Sequence, residues 1–286
     1  MLKVYMFHYV TEGFNYYHFD IKQFEKIVKE LVKTKKVISL KDLKNIQLSD
    51  ESEYVLLTFD DGTIDHYKNV YRILKEYNVT GVFFICSNIF RETLLEINLI
   101  HQILNKVSPD KLYRDVKRYL IENNMVNKYN DITPKINNWK EIYIKKLIQT
   151  FLPQEYKAPL LKKLVERYDV STNYKNYYMS IENMVEMKKN GMEFGCHTNS
   201  HRRLSFLDGK EQNTEIKENM KLLYKSKLLT KDDVLTIAYP FGDYNGSTIK
   251  ILNSLKFDFA FTVKEGDIYN FDKYRLPRYD CNVLKE

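Results

Sequence analysis

Two short segments carry side chains that could do chemistry together. Thr58-Phe59-Asp60-Asp61-Gly62 sets two carboxylates side by side at the end of a compact apolar run. Adjacent carboxylates repel, so both stay ionised only beside a cation or several donors. Gly195-Cys196-His197-Thr198-Asn199-Ser200-His201 places two of the six histidines four residues apart. That spacing lets both imidazoles reach one ion. Alone, Asp-Asp-Gly is most often a turn and such a histidine pair most often a coincidence. Together, one carboxylate and two imidazoles make a three-ligand set with open coordination positions, the pattern of a catalytic metal rather than a structural one. The spare carboxylate could act as general base on a water whose pKa the ion lowers. The chemistry implied is hydrolysis of an amide or ester.

Such residues need a scaffold that brings two distant segments to one place. Lys3–His8 alternates as a strand and turns at Thr11-Glu12-Gly13. Asp20 precedes the helical spacing Phe24, Ile27, Val28, Leu31 and is expected to cap it. Tyr54–Phe59 reads as a buried strand ending at the Asp-Asp-Gly turn. Asp65 is expected to cap a following helix that carries Val70, Ile73 and Leu74. Gly81–Cys86 is a further buried strand. The order β-α-β-α-β favours a mostly parallel sheet, with functional residues at the C-terminal ends of its strands.

From about 91 to 179 the pattern turns helical. Leu95–Val107, Asp110–Glu122, Trp139–Phe151 and Gln154–Tyr168 have helical spacing, punctuated by Pro109, Pro134, Pro153 and Pro159. His101 in this stretch reads as a packed or surface histidine. After Ser180, a helix cap, the α/β alternation returns. Strands are expected at Glu193–Cys196, Val234–Tyr239 and Phe259–Val263, with helices at Gly209–Leu228 and Ser247–Leu255. The expected organisation is one domain over 1–286, with a helical insertion at about 91–179 that covers or flanks a substrate groove.

Composition narrows the class. The 286 residues are 44% hydrophobic and 29% charged, ordinary for a globular chain and against disorder. No apolar run approaches the length of a membrane span. The net charge of +7 is spread along amphipathic stretches without dense basic blocks, and nothing resembles a basic-aromatic platform for nucleic acid. Gly-rich phosphate loops are missing, so nucleotide-driven chemistry is not expected. Cys86, Cys196 and Cys281 form neither a disulfide framework nor a paired metal motif. The start, MLKVYMFHYVTEGF, lacks a signal-peptide layout, and the chain reads as cytoplasmic.

The segments LLTFDDG and EFGCHTNSH, with GVFFIC after the first and YPFGDYN after the second, resemble the NodB-type polysaccharide deacetylases, carbohydrate esterase family four. The resemblance covers roughly 1–90 and 180–286. It implies a distorted (β/α) barrel of about seven strands. It implies removal of an acetyl group from a sugar with a divalent ion, commonly zinc, with cobalt or nickel as alternatives. Carried over by position, Asp60 matches the catalytic base, Asp61 the metal-binding aspartate, and His197 and His201 the two metal-binding histidines. The backbone N–H of Phe241 matches the oxyanion donor.

Two departures stand out. Ala238-Tyr239-Pro240-Phe241-Gly242 lacks the arginine that opens the family's third motif. Arg275 or Arg278 is expected to replace it on Asp60, with Arg278 preferred, since a bidentate guanidinium keeps a carboxylate ionised and oriented. The family's C-terminal histidine is also missing, and no histidine follows His201. His8 resembles the N-terminal histidine of the biofilm-exopolysaccharide deacetylases, whose motif order is circularly permuted, and is expected to be the general acid. His66 reads as a surface helix position, with the alternative that it faces the site. Cys196 reads as core. The expected partner is an N-acetylated sugar, polymer or precursor. The rival readings are an amidase on a non-sugar amide and a glycan-binding descendant without catalysis.

Overall fold

The computed structural model describes residues 1–13, 18–46, 52–91, 94–132, 139–270 and 272–284. These fall into two compact units. Among the described residues, one comprises 1–13, 17–92 and 174–286; the other comprises 93–173.

The first unit is built on an all-parallel sheet. Its strands are β1 (Leu2–Phe7), β2 (Lys36–Val37), β3 (Tyr54–Asp60), β4 (Val82–Ile85), β5 (Glu193–Cys196), β6 (Thr236–Ala238), β7 (Phe259–Phe261) and β8 (Tyr279–Asp280). They lie in the order β7-β6-β5-β4-β3-β1-β8, with β2 beside the start of β3. Parallel neighbours put all their C-terminal ends on one edge, so His8, Asp60 and His197 leave the sheet on the same side.

A phenylalanine ladder fixes the register. Phe7 pairs with Phe59, Phe59 with Phe83, and Phe83 with Phe194 across β1, β3, β4 and β5. Their ring centroids are 5.3, 4.9 and 5.8 Å apart. Each aromatic pair adds about 0.5–1.5 kcal/mol beyond simple burial. A one-residue slip would turn every ring to the opposite face and destroy the ladder. Because side chains alternate along a strand, Thr58 and Asp60 face away from Phe59, towards the other side of the sheet.

Helix starts follow their capping residues. Asp20 accepts from the N–H of Lys22 and Gln23 at the head of the helix Ile21–Thr34. Ser180, Asp208 and Asn245 each form reciprocal capping boxes at Ile181–Lys189, Gly209–Lys225 and Gly246–Ser254. Asp65 departs from expectation. Its side chain caps nothing; it accepts the Val10 N–H at 2.7 Å instead. The helix there opens as a π turn, His66–Tyr71, before Arg72–Glu76 becomes α. The short strand β2, the helix Leu40–Asn45 and the strand β8 have too few residues to show periodicity, and the sequence reading lacks them.

The second unit is helical among its described residues. Its helices are Glu96–Lys106, Pro109–Glu122, Trp139–Lys146 and Gln154–Arg167. They enclose their own core, including Ile100, Leu120, Tyr143, Leu147 and Leu164. Pro109 sits in the first turn behind the Ser108 cap, where its missing N–H costs nothing. Pro159 lies inside Gln154–Arg167, within the expected helical span. One expectation changes here. The helix from Trp139 becomes a π turn at Leu147–Phe151. Pro134 lies outside the described residues. His101 is buried. No helix among the described residues is long and apolar enough to cross a membrane.

Candidate active site and metal centre

Every residue singled out by the two motifs lies in the first unit. Asp60 ends β3, and Asp61 follows in the left-handed region at φ 77°, with Gly62 next at φ 74°. Two successive left-handed residues bend the chain sharply at the sheet edge. A Cβ on Gly62 would lie 3.1 Å from Ile85 and 3.2 Å from Ile89. The turn therefore needs glycine both for conformation and for space.

Asp60 is the anchor of a buried ion pair. Arg278 Nη1 donates to its Oδ1 at 2.8 Å and Nη2 to its Oδ2 at 2.7 Å. Arg278 also donates through Nε to the Thr262 carbonyl and through Nη1 to the Thr58 hydroxyl. The side chains are 0% and 3% exposed. Burial pushes the Asp60 carboxyl up, but the Arg278 guanidinium, together with the nearby His197 and His8 imidazoles, outweighs it and holds the pKa below the ordinary value. Arg275, the other candidate, instead pairs with Asp272 at the surface. Gly195 keeps this pocket open, since a Cβ there would meet Phe84 at 2.5 Å, and the Phe84 ring lies 5.7 Å from the Arg278 guanidinium.

Asp61, His197 and His201 form one cluster. Each offers a ligand atom, and these atoms lie within 4.8 Å of one another. Nε2 of His197 and Nε2 of His201 are each 3.5 Å from Asp61 Oδ1. Bonds of about 2.1 Å at tetrahedral angles would set ligands about 3.4 Å apart, so the spacing fits one shared ion. His197 Nδ1 donates to the Ala238 carbonyl at 2.8 Å, so in the neutral imidazole Nε2 turns its lone pair to the cluster. Burial pulls the His197 imidazole down, but the Asp60 and Asp61 carboxylates outweigh it and raise its pKa. Burial dominates at His201 and pushes it down to about 3, so that imidazole is neutral. Asp61 is buried, yet the His197 and His201 side chains hold it well below the ordinary carboxylate range. An ionised carboxylate, a lone pair directed inward and a neutral imidazole suit a divalent cation.

The loop between the two histidines is strained and braced. Thr198 and His201 have φ of 63° and 59°. Non-glycine residues hold such angles only where surroundings fix them. Here the Thr198 hydroxyl accepts the His201 N–H at 3.1 Å. Glu215 takes both donors of Ser200, its N–H at 2.8 Å and its hydroxyl at 2.6 Å. Asn219 accepts the His197 N–H at 3.0 Å and donates to the Ile85 carbonyl. Gln212, Glu215 and Asn219 form a buried polar stripe on the helix Gly209–Lys225. These bracing residues escaped the sequence reading. The signal is polar side chains recurring at helical spacing beside Ile216 and Leu223.

His8 leaves the end of β1 half-buried, near enough that its charge is felt by Asp60, Asp61 and His201. Its backbone is clamped by the segment after the Asp-Asp-Gly turn. His66 Nε2 donates to the His8 carbonyl at 2.7 Å, and Asp65 and Asn69 bond the N–H and carbonyl of Val10. His66 is therefore neither a surface position nor a group facing the site. It is fully buried against Phe59 and Phe83. Phe241 adopts φ 59° after Pro240, and its ring meets His201 edge-on at 4.6 Å. Cys196 is core: it is fully buried, and burial pushes its thiol far up.

A family model described as polysaccharide deacetylase matches residues 47–108 and 155–260, more than half of the chain. No curated protein matches the sequence. Among solved structures, the Streptococcus pyogenes deacetylase PplD in complex with acetate is similar at 18% identity and a TM-score of 0.60, over 98% of this chain and 91% of that one. IcaB from Ammonifex degensii is similar at 17% identity and 0.60, with the same coverage. The BpsB deacetylase domain from Bordetella bronchiseptica is similar at 13% identity and 0.58, over 97% and 94%. What these structures share with the chain is the fold, the distorted (β/α) barrel.

Proposed function

The chain belongs to the polysaccharide deacetylase family, and on that premise we propose that it is a metal-dependent hydrolase that removes the acetyl group from an N-acetylated sugar. The observation that carries this reading is the bidentate Arg278–Asp60 pair directly beside the Asp61, His197 and His201 cluster. A divalent ion, zinc for preference, held by those three residues would supply a Lewis acid and lower the pKa of water. Asp60, kept ionised and oriented by Arg278, takes the proton of the attacking water. The Phe241 N–H, fixed by the left-handed turn after Pro240, donates to the oxygen that becomes negative. His8, steadied through its carbonyl by His66, returns a proton to the departing amine. Arg278 replaces the arginine missing before Pro240, and His8 replaces the missing C-terminal histidine.

The test is acetate release by metal-loaded protein from N-acetylglucosamine oligomers and from nucleotide-linked N-acetyl sugars. The reading expects release from at least one set, lost in Asp60→Asn. Release from neither set by the metal-loaded protein would refute it. The preferred set separates polymer modification from precursor synthesis.

A further inference from the structure

Arg203 follows His201 by two residues and is half-buried. Its guanidinium carbon lies 4.2 Å from the centre of the Phe241 ring. The same ring meets His201 edge-on at 4.6 Å. One aromatic ring thus separates this cation from a candidate metal ligand. A guanidinium carries five N–H donors and stays charged. Among the described residues Arg203 has no ion-pair partner, and its buried Nε has no acceptor, whereas neighbouring Arg202 bonds Glu211 at 3.2 Å. Asp243 is the acid nearest in effect, and its Oδ2 accepts from the Ser205 hydroxyl at 2.8 Å.

Leaving the buried Nε donor unused is costly, and the cost is recovered when an acceptor arrives. The Phe241 ring holds the guanidinium in place at 4.2 Å, and guanidinium N–H donors form a planar fork suited to two oxygens of one anion. We propose that Arg203 forms a subsite for an anionic oxygen group, phosphate or carboxylate, carried by the sugar whose acetyl group is removed. The proposal rests on the deacetylase reading and narrows its substrate to acidic or phosphorylated N-acetyl sugars. A plain supporting role for Arg203 under Phe241 would affect neutral and anionic sugars alike, so the ratio between them is the discriminating quantity.

The test measures binding by calorimetry, and acetate release in parallel, for metal-loaded wild type, Arg203→Gln and Arg203→Lys. The probes are N-acetylglucosamine 1-phosphate, N-acetylmuramic acid and the neutral N-acetylglucosamine disaccharide. Wild type is expected to prefer at least one anionic probe by roughly ten- to hundred-fold, the worth of a charge-assisted pair. Arg203→Gln should erase that preference, Arg203→Lys should keep part of it, and added salt should shrink it. The anion preferred tells phosphate from carboxylate. Inorganic phosphate should compete with the anionic probe in wild type, a readout that needs no variant. Equal binding of neutral and anionic probes by wild type, or an unchanged ratio in Arg203→Gln, would overturn the subsite. Anion-selective binding with acetate released from none of these probes, nor from the oligomers and nucleotide-linked sugars, would sink the deacetylase reading and leave the anion site standing.

Discussion

Replacing Arg278 by methionine should be costly at neutral pH and cheap in acid. Arg278 makes two bonds to Asp60, at 2.8 and 2.7 Å, and further bonds to Thr262 and Thr58, with both charged side chains out of water. Methionine fills much of the space but strands a buried carboxylate, and removing one partner of a buried pair costs about 3–5 kcal/mol. The pH dependence follows from the direction of the Asp60 shift. In the wild type burial raises the Asp60 pKa, but Arg278, the largest opposing charge, acts with His197 and His8 to bring the folded value below the ordinary one. The pair's stabilisation is therefore present above about pH 4 and is lost as pH falls through the lower folded value. In Arg278→Met burial acts without its counter-ion, so the folded pKa lies above the ordinary value. The variant then loses stability as pH rises from about 4 through that raised pKa. Urea unfolding of chelator-treated wild type and variant at pH 4 and pH 7 measures the difference. The deficit should be several kcal/mol at pH 7 and much smaller at pH 4. Adding Asp60→Asn to the variant should recover stability at pH 7 without restoring acetate release. A deficit equal at both pH values, or under about 1 kcal/mol at pH 7, would refute the argument.

Glu215→Ala leaves Ser200 unbraced between the two histidines and should weaken zinc affinity about 10- to 100-fold, read by competition with a chromophoric chelator. His66→Ala removes the bond to the His8 carbonyl and a ring packed on Phe59 and Phe83; turnover should fall at least ten-fold while metal content stays at the wild-type level. Gly195→Ala drives a Cβ into Phe84 and Thr236 at 2.5 and 2.7 Å and should cost about 1–3 kcal/mol in unfolding free energy. Phe59→Ala breaks the middle of the phenylalanine ladder and should cost about 3–5 kcal/mol in the same assay.

Local signals carried the sequence reading furthest. The runs Tyr54–Phe59 and Gly81–Cys86 are apolar, short and bounded by turns, and they appear as β3 and β4. Both motifs stand where strands end, and the sheet brings them together. What the sequence concealed depends on distance along the chain. The Arg278–Asp60 pair spans 218 residues; the sequence narrows the partner to Arg275 or Arg278 with a slight preference for Arg278, and only the fold separates them, burying one and exposing the other. Asp65 stood at a helix start, where capping is the ordinary role, but a backbone donor from the end of β1 reached it first. In a regular α-helix after Asp65, His66 would read as a surface position; the π turn His66–Tyr71 shifts which residues face inward. The left-handed conformations of Asp61, Thr198, His201 and Phe241 leave no mark in composition, since none of them is glycine.

The central claim is that Asp61 serves the metal and Asp60 serves the proton, although they are neighbours. One measurement separates the roles: bound zinc and released acetate, determined on the same samples of wild type, Asp60→Asn and Asp61→Asn. The account predicts that Asp60→Asn keeps its zinc and releases no acetate, while Asp61→Asn loses both. Acetate release by Asp60→Asn, or zinc retained at wild-type affinity by Asp61→Asn, would contradict it.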